Sequence, residues 1–247
     1  MIEKKIHYIW FGGEKPEKVK RCIESWYKYL PDYEIIEWNE RNIDIEKEKK
    51  KNKFFKYCYM HRLWALVTDY IRVKILYEYG GIYLDTDIEI RKTFDELLNN
   101  DFFLGYEDDK KQDICNAVIG SIPEHPFLEK MKKFYENEIW ESNLYISGNI
   151  IDMILKRDYF NERRLEEEGI KLYPAKYFYP YHWTEKFDEK CITEDTYAIH
   201  HWDGSWTLNP NIAYLRYKHL NPILRFFKVR RKIKKINKEI EKRKKEN

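Results

Sequence analysis

Cysteine is scarce in this 247-residue chain: Cys22, Cys58, Cys115 and Cys191 stand far apart, with no CxxC pair among them. That spacing argues against a disulfide framework or a cysteine-built zinc site, and it suits free thiols in a reducing compartment. No apolar run approaches the roughly 20 residues that span a bilayer. The start, Met1-Ile2-Glu3-Lys4-Lys5, lacks the apolar region of a signal peptide. The expected location is therefore cytoplasmic, and peripheral on the inner face of a membrane if the tail described below attaches there. Repeats are absent, as is any low-complexity linker before Asn221. What the chain has in quantity is aromatic residues, 17% within an apolar share of 43%. At this length they supply a real core and exclude disorder throughout, although 36% of residues are charged.

The net charge of +3 hides an asymmetry. From Arg225 onward there are 12 Lys and Arg against three Glu, whereas the preceding 224 residues hold 34 basic and 40 acidic side chains. An acidic body carries a basic tail.

Periodicity predicts a buried strand over Ile6 to Phe11, closed by a turn at Gly12-Gly13, then a helix marked by Val19, Cys22, Ile23, Trp26, Tyr27 and Leu30. Pro31-Asp32 interrupts it, and Tyr33 to Trp38 reads as a second strand. The lysine-dense stretch from Glu46 to Lys53 reads as a solvated loop or helix surface. Leu63, Leu66, Val67, Tyr70, Val73, Lys74 and Tyr77 mark a long helix, which Gly80-Gly81 stops by tolerating positive φ. A strand from Ile82 to Leu84 then runs into Asp85-Thr86-Asp87. Further strands are expected near Phe102 to Tyr106, Asn116 to Gly120 and Tyr197 to Trp202, with a helix from Pro126 to about Asn137. Strands alternating with helices predict an α/β sandwich on a mostly parallel sheet.

Residues i and i+2 of an extended segment face the same side, so Asp85 and Asp87 present two carboxylates into one space. Such hard oxygen donors suit Mg²⁺ or Mn²⁺, and ligands of α/β sheets gather at the carboxyl ends of strands. A calcium loop of EF-hand type fails, because Ile90 stands where the loop needs Gly. A phosphotransferase with Asp85 as nucleophile remains an alternative, as does a non-catalytic, membrane-attached sugar-binding protein. Asp69 and Arg72 lie three apart on one helical face, which by itself describes an intrahelical ion pair. His7, His61, His125, His182 and His219 have no partner spacing and read as structural. The cluster Tyr173, Tyr177, Phe178, Tyr179, Tyr181 and Trp183 fits core packing as well as it fits an acceptor wall.

Four ordered segments carry a resemblance. Thr68 to Asp87, ending in Gly80-Gly81-Ile82-Tyr83-Leu84-Asp85-Thr86-Asp87, resembles the DXD core of glycosyltransferase family 32. Ile6-His7-Tyr8-Ile9-Trp10-Phe11-Gly12-Gly13, Trp38-Asn39-Glu40 and His200-His201-Trp202-Asp203-Gly204-Ser205-Trp206 agree with the same family in order. Bacterial capsule and lipopolysaccharide transferases, yeast initiating mannosyltransferases and, distantly, the large glucosylating toxins share this region. The resemblance implies a GT-A, Rossmann-like fold over residues 1–220. It implies a metal-dependent, retaining transfer of a hexose or N-acetylhexosamine from a nucleotide sugar, a UDP-sugar by preference, to a glycan or glycolipid acceptor in surface polysaccharide or lipopolysaccharide synthesis. Asp87 is then the direct ligand of Mn²⁺ or Mg²⁺, and Asp85 meets the ribose, the sugar or the metal through water. His201 is the third protein ligand, with adjacent His200 as the alternative. Asp69 and Arg72 reach the sugar hydroxyls, Trp10 stacks on the base, Asn116 lies on the sugar and acceptor side, and Trp206 closes over the donor.

The tail, 221–247, opens on Asn221-Pro222, a cap followed by a first-turn proline. Phe226, Val229, Ile233, Ile236 and Ile240 then recur at spacings of three and four among Lys, Arg and Glu. A basic amphipathic helix of this kind suits an anionic leaflet, apolar seam downward. The same heptad also suits a homodimeric coiled coil, while no recognised motif supports nucleic-acid binding.

Overall fold

The computed structural model describes residues 1–159, 161–204 and 209–246, with side chains up to Lys242. The β-branched and aromatic run at the start forms β1 (Lys5–Ile9) and leads into α1 (Glu17–Tyr29) and β2 (Glu34–Trp38), as its periodicity predicts. Helix α1 buries Val19, Cys22, Ile23 and Trp26. The Trp26 indole is fully buried and donates to the Ile88 carbonyl at 2.7 Å, which pins the chain just beyond the DXD tripeptide. Burial of one such ring stabilises by about 1.5–3 kcal/mol.

Two short helices follow, α2 (Ile45–Lys51) and α3 (Lys53–Met60). The lysine-dense stretch is thus helical, and one of its acids is not solvated. Glu48 is buried, accepting from the Tyr70 hydroxyl at 2.9 Å and paired with Lys74. A buried carboxylate needs such partners, and both lie on the next helix, α4 (Trp64–Tyr79). Helix α4 is buried from Leu66 to Leu76 apart from partly exposed Thr68 and Lys74, with Asp69 and Arg72 among the buried residues. It ends at Gly80, where φ is +63°, and an added Cβ would stand 2.7 Å from Pro123 Cδ. Strand β3 (Gly81–Leu84) starts at once, and a tight turn at Asp85 leads to β4 (Ile88–Ile90), which the periodicity does not announce.

The remainder comprises β5 (Phe102–Asp108), β6 (Asp113–Ser121), α5 (Pro126–Lys133) continued by a wider turn to Glu138, α6 (Ser147–Asp158), α7 (Glu162–Glu167), β7 (Ile170–Tyr173), β8 (Ala198–His200), α8 (Ile212–Tyr217) and α9 (Pro222–Glu246). Six strands form one sheet in the order β2-β1-β3-β6-β5-β7, with only β6 running against the rest. The expected mostly parallel α/β sheet is present. Strands β4 and β8 pair separately and antiparallel, with Ile88 opposite His200. One core cluster joins α3 to α6, α8 and α9 to one face of the sheet; a second joins α1, β4 and the Phe94 to Leu98 segment to the other. Within the aromatic cluster, Phe178 and Tyr179 are core, whereas Trp183 is exposed.

Asn221 caps α9 as predicted, its Oδ1 accepting from the Leu224 N–H at 3.0 Å. The apolar seam, however, faces inward from Val229 onward, whereas Phe226 at its start is 54% exposed. Ile236 is buried, and Val229, Ile233 and Ile240 pack against the chain's own core. The seam is therefore occupied within the same chain, because residues spaced three and four apart cover an apolar surface wherever one is offered. Among the described residues no helix is long and apolar enough to cross a membrane.

Candidate active site

The central strand β3 ends between two neighbours, parallel β1 and antiparallel β6. Its ladder extends one residue further, since the Asp85 N–H donates to the Ala117 carbonyl at 2.8 Å. Asp85 and Asp87 thus stand at the carboxyl edge of the sheet, where α/β folds bind ligands.

Arg72 organises the space behind them. It lies on α4 almost completely buried, and its Nη2 meets Asp69 Oδ1 at 3.1 Å and Asp85 Oδ1 at 3.0 Å. Nη1 donates to the Asn116 carbonyl at 2.7 Å, Nη2 also reaches Thr68 Oγ1 at 3.2 Å, and the guanidinium sits 4.3 Å over the Tyr83 ring. The planar fork of arginine suits this many simultaneous partners, which an ammonium could not serve. Asn116 Nδ2 donates to Asp69 Oδ1 at 2.8 Å, and the Tyr83 hydroxyl donates to Asp85 Oδ1 at 2.8 Å. Burial raises the Asp69 pKa to about 6 against the opposing pull of Arg72 and Asn116. Burial also raises Asp85, again with Arg72 opposing. The helical-pair reading of Asp69 and Arg72 holds, but the pair is half of a four-residue network that also includes Asp85 and Asn116.

The histidine differs from expectation. His200, not His201, shares the space with the DXD carboxylates: His200 Nε2 lies 3.3 Å from Asp87 Oδ1. Ligand atoms of Asp85, Asp87 and His200 all fall within 4.8 Å of one another. His201 instead points its Nε2 to Glu89 Oε2 at 3.0 Å, holding that carboxyl down at about 2. The β4–β8 register sets the choice: His200 ends β8 and faces Asp87, and His201, the next residue of the extended run, leaves on the opposite side. His200 is packed 4.0 Å from the Trp202 ring, and its Nδ1 lies 3.9 Å from Cys115 Sγ. Trp202 adopts φ +52°, a strained conformation for a bulky residue, and the bend brings the Asp203 N–H to Asp87 Oδ2 at 3.0 Å. Burial alone would raise Asp87, but His200 and that N–H outweigh it and hold the carboxyl well below the usual range.

Two carboxylates and an imidazole at this separation fit a divalent cation of hard to intermediate character, with Asp85, Asp87 and His200 as its protein ligands. Trp10 stands at the carboxyl end of β1, one strand away, its indole donating to the Gly13 carbonyl at 2.8 Å. Beside that turn lies a cleft of about 480 Å³, lined by Gly12, Glu40, Lys49, Tyr59, Arg62 and Trp64. Trp206 lies outside the described residues. Sequence reasoning passed over Tyr83, although its i, i+2 spacing to Asp85 puts both on one face, and Thr68, whose i, i+4 spacing to Arg72 does the same.

Residues 16–104 match the model of the family described as "Glycosyltransferase sugar-binding region containing DXD motif". Inositol phosphoceramide mannosyltransferase 2 of Schizosaccharomyces pombe is 33% identical over 129 residues, which cover 52% of this chain and 37% of that protein. The chain thus spans little more than a third of that relative. An uncharacterized glycosyltransferase of Acanthamoeba polyphaga mimivirus is 28% identical over 216 residues, covering 83% of this chain and 84% of the other. The PaToxG glycosyltransferase structure superposes with a TM-score of 0.51 at 17% identity, over 68% of this chain and 74% of that one, a likeness of fold. The match and the order of the motifs agree with the likeness of fold: residues 16–104 carry a DXD-containing glycosyltransferase sugar-binding region.

Proposed function

We propose that the chain is a retaining glycosyltransferase that moves a hexose or N-acetylhexosamine from a nucleotide sugar to a hydroxyl of a glycan or glycolipid. The observation that carries this reading is the convergence of Asp85, Asp87 and His200 at the end of β3, directly beside the Asp69–Arg72–Asn116 network. A divalent cation held by those three ligands, Mn²⁺ or Mg²⁺, would offset the charge that builds on the departing diphosphate. Trp10 offers an aromatic face to the base at the neighbouring strand end. Asp69 and Asn116 orient the sugar through its hydroxyls, and Arg72 holds both Asp69 and Asp85 at fixed distance from each other.

Retention is supported by what the carboxylates are already doing. Asp69 and Asp85 are each bound to Arg72, and Asp87 to His200 and the Asp203 N–H, so each has a task other than attack on the sugar. On the front face, the acceptor oxygen forms its bond to the anomeric carbon as the bond to the phosphate oxygen breaks. The acceptor proton passes to that phosphate oxygen. No enzyme nucleophile is required, and the aspartyl-phosphate alternative gains no support from an Asp85 so engaged.

A UDP-sugar is the proposed donor and a surface polysaccharide or lipopolysaccharide the proposed acceptor. The name of the fungal relative adds mannosyl donors to the panel to be tried. Incubation with Mn²⁺ and a set of UDP- and GDP-sugars should release nucleoside diphosphate from at least one donor, and Asp87→Asn should lower the rate by at least about a hundredfold. No release from any donor, or an unchanged rate in Asp87→Asn, overturns the reading.

A further inference from the structure

The inward seam of α9 leaves its opposite face to solvent, and that face is unusual. At about 100° per residue, Val229, Ile233, Ile236 and Ile240 fall within an arc of about 60°. Ile223, Phe227, Arg231, Lys234 and Lys238 fall within an arc of about 80° centred about 150° from the seam. Ile223 is 72% exposed, Leu224 50% and Phe227 64%. With Phe226, 54% exposed nearer the seam, four large apolar side chains stand in water in the first turns of the helix, and Arg231, Lys234 and Lys238 continue the face of Ile223 and Phe227, all exposed. Contiguous exposed apolar residues rimmed by one sign of charge mark an interaction surface.

We propose that this outward face of α9 docks on an anionic lipid bilayer. Ile223, Leu224 and Phe227 enter the headgroup boundary, and Arg231, Lys234 and Lys238 lie against lipid phosphates. Charge selects this occupant. A second copy would bring the same cations against these, whereas an anionic leaflet supplies a continuous field of opposite sign. Shape agrees, since the apolar residues protrude from a convex helix and need a surface that deforms around them, as lipid does. The docking is the reverse of the one the heptad suggests, with the apolar seam kept for the body and the far side given to the membrane. It stands apart from the transferase reading, because vesicle binding needs no donor.

The test uses the whole chain and vesicles of phosphatidylcholine with or without phosphatidylglycerol. Sedimentation should occur only with the anionic vesicles and weaken as salt rises. Ile223→Ser with Phe227→Ser should lower partitioning by at least about tenfold. Arg231→Glu, Lys234→Glu and Lys238→Glu together should lower it by at least about a hundredfold. Both variants should keep the wild-type circular dichroism and thermal midpoint, because they alter only outward side chains. Failure of the wild-type chain to sediment with anionic vesicles overturns the proposal, as does undiminished binding by either folded variant. A concentration-dependent dimer that Ile223→Ser with Phe227→Ser dissolves, in the absence of vesicle binding, assigns the face to a second copy instead.

Discussion

Arg72 shows how one residue changes meaning between sequence and structure. Its spacing from Asp69 is that of an ordinary helical ion pair, worth a few tenths of a kcal/mol at a surface. Between buried Asp69 and partly buried Asp85, it becomes the counter-ion that lets two carboxylates stand side by side. Breaking such a pair by removing one partner costs about 3–5 kcal/mol, since a buried charge is left alone. The two histidines illustrate the reverse: adjacent in sequence and chemically identical, they are separated by the sheet. His200→Ala is expected to abolish Mn²⁺-dependent donor binding, read by calorimetry, whereas His201→Ala should retain it within about threefold, having lost contacts to Glu89 and Phe187 at a partly exposed site. Equal loss in both variants would remove His200 from the proposed ligand set.

At the scale of elements, patterns confined to one helix or strand were legible. The first strand, α1, α4 with its glycine stop, β3 with its terminal DXD and the cap of α9 stand where periodicity and capping residues put them, with ends differing by at most two residues. Strand β4 was not legible, because three residues are too few to establish alternation, and its partner β8 lies more than a hundred residues away. Helix α9 was legible as a helix with an apolar seam, but the seam's partner was not. Ile236→Ala should cost about 2–4 kcal/mol in urea unfolding, the penalty of a cavity in a packed core. A detached tail would show a change within about 0.5 kcal/mol, which would overturn the packing described for α9.

For the whole molecule, His7 ties stability to pH. It is fully buried where β1, β2 and the end of α4 meet; its Nε2 lies 3.0 Å from the Gly80 carbonyl and its Nδ1 accepts from the Trp38 indole at 3.1 Å. Only the neutral ring with its proton on Nε2 satisfies both, and protonating Nδ1 would set two N–H donors against each other. Burial accordingly lowers the His7 pKa from 6.5 to about 4. Between those values the unfolded chain binds more protons than the folded one, so this contribution is complete above pH 6.5 and declines as pH falls toward 4. Over the full shift it amounts to about 3 kcal/mol. Asp69 acts oppositely, because its raised pKa makes the folded state bind the extra proton below about 6. Urea unfolding of the metal-free protein across this range, compared with His7→Gln, isolates the histidine: the two curves should diverge as pH rises from 4 to 6.5. A constant difference would mean that His7 is not held neutral.

The sequence by itself determined where apolar faces lie along each segment, where glycine must break a helix, and that two carboxylates leave one strand end together. Those properties follow from the periods of a single helix or strand, which neighbours in sequence fully specify. Only the tertiary structure decided that Arg72 serves Asp85 as well as Asp69, that His200 rather than His201 joins the carboxylates, and that the seam of α9 turns inward. Each of these depends on what a face meets, and pairing partners distant in the chain leave no trace in local spacing.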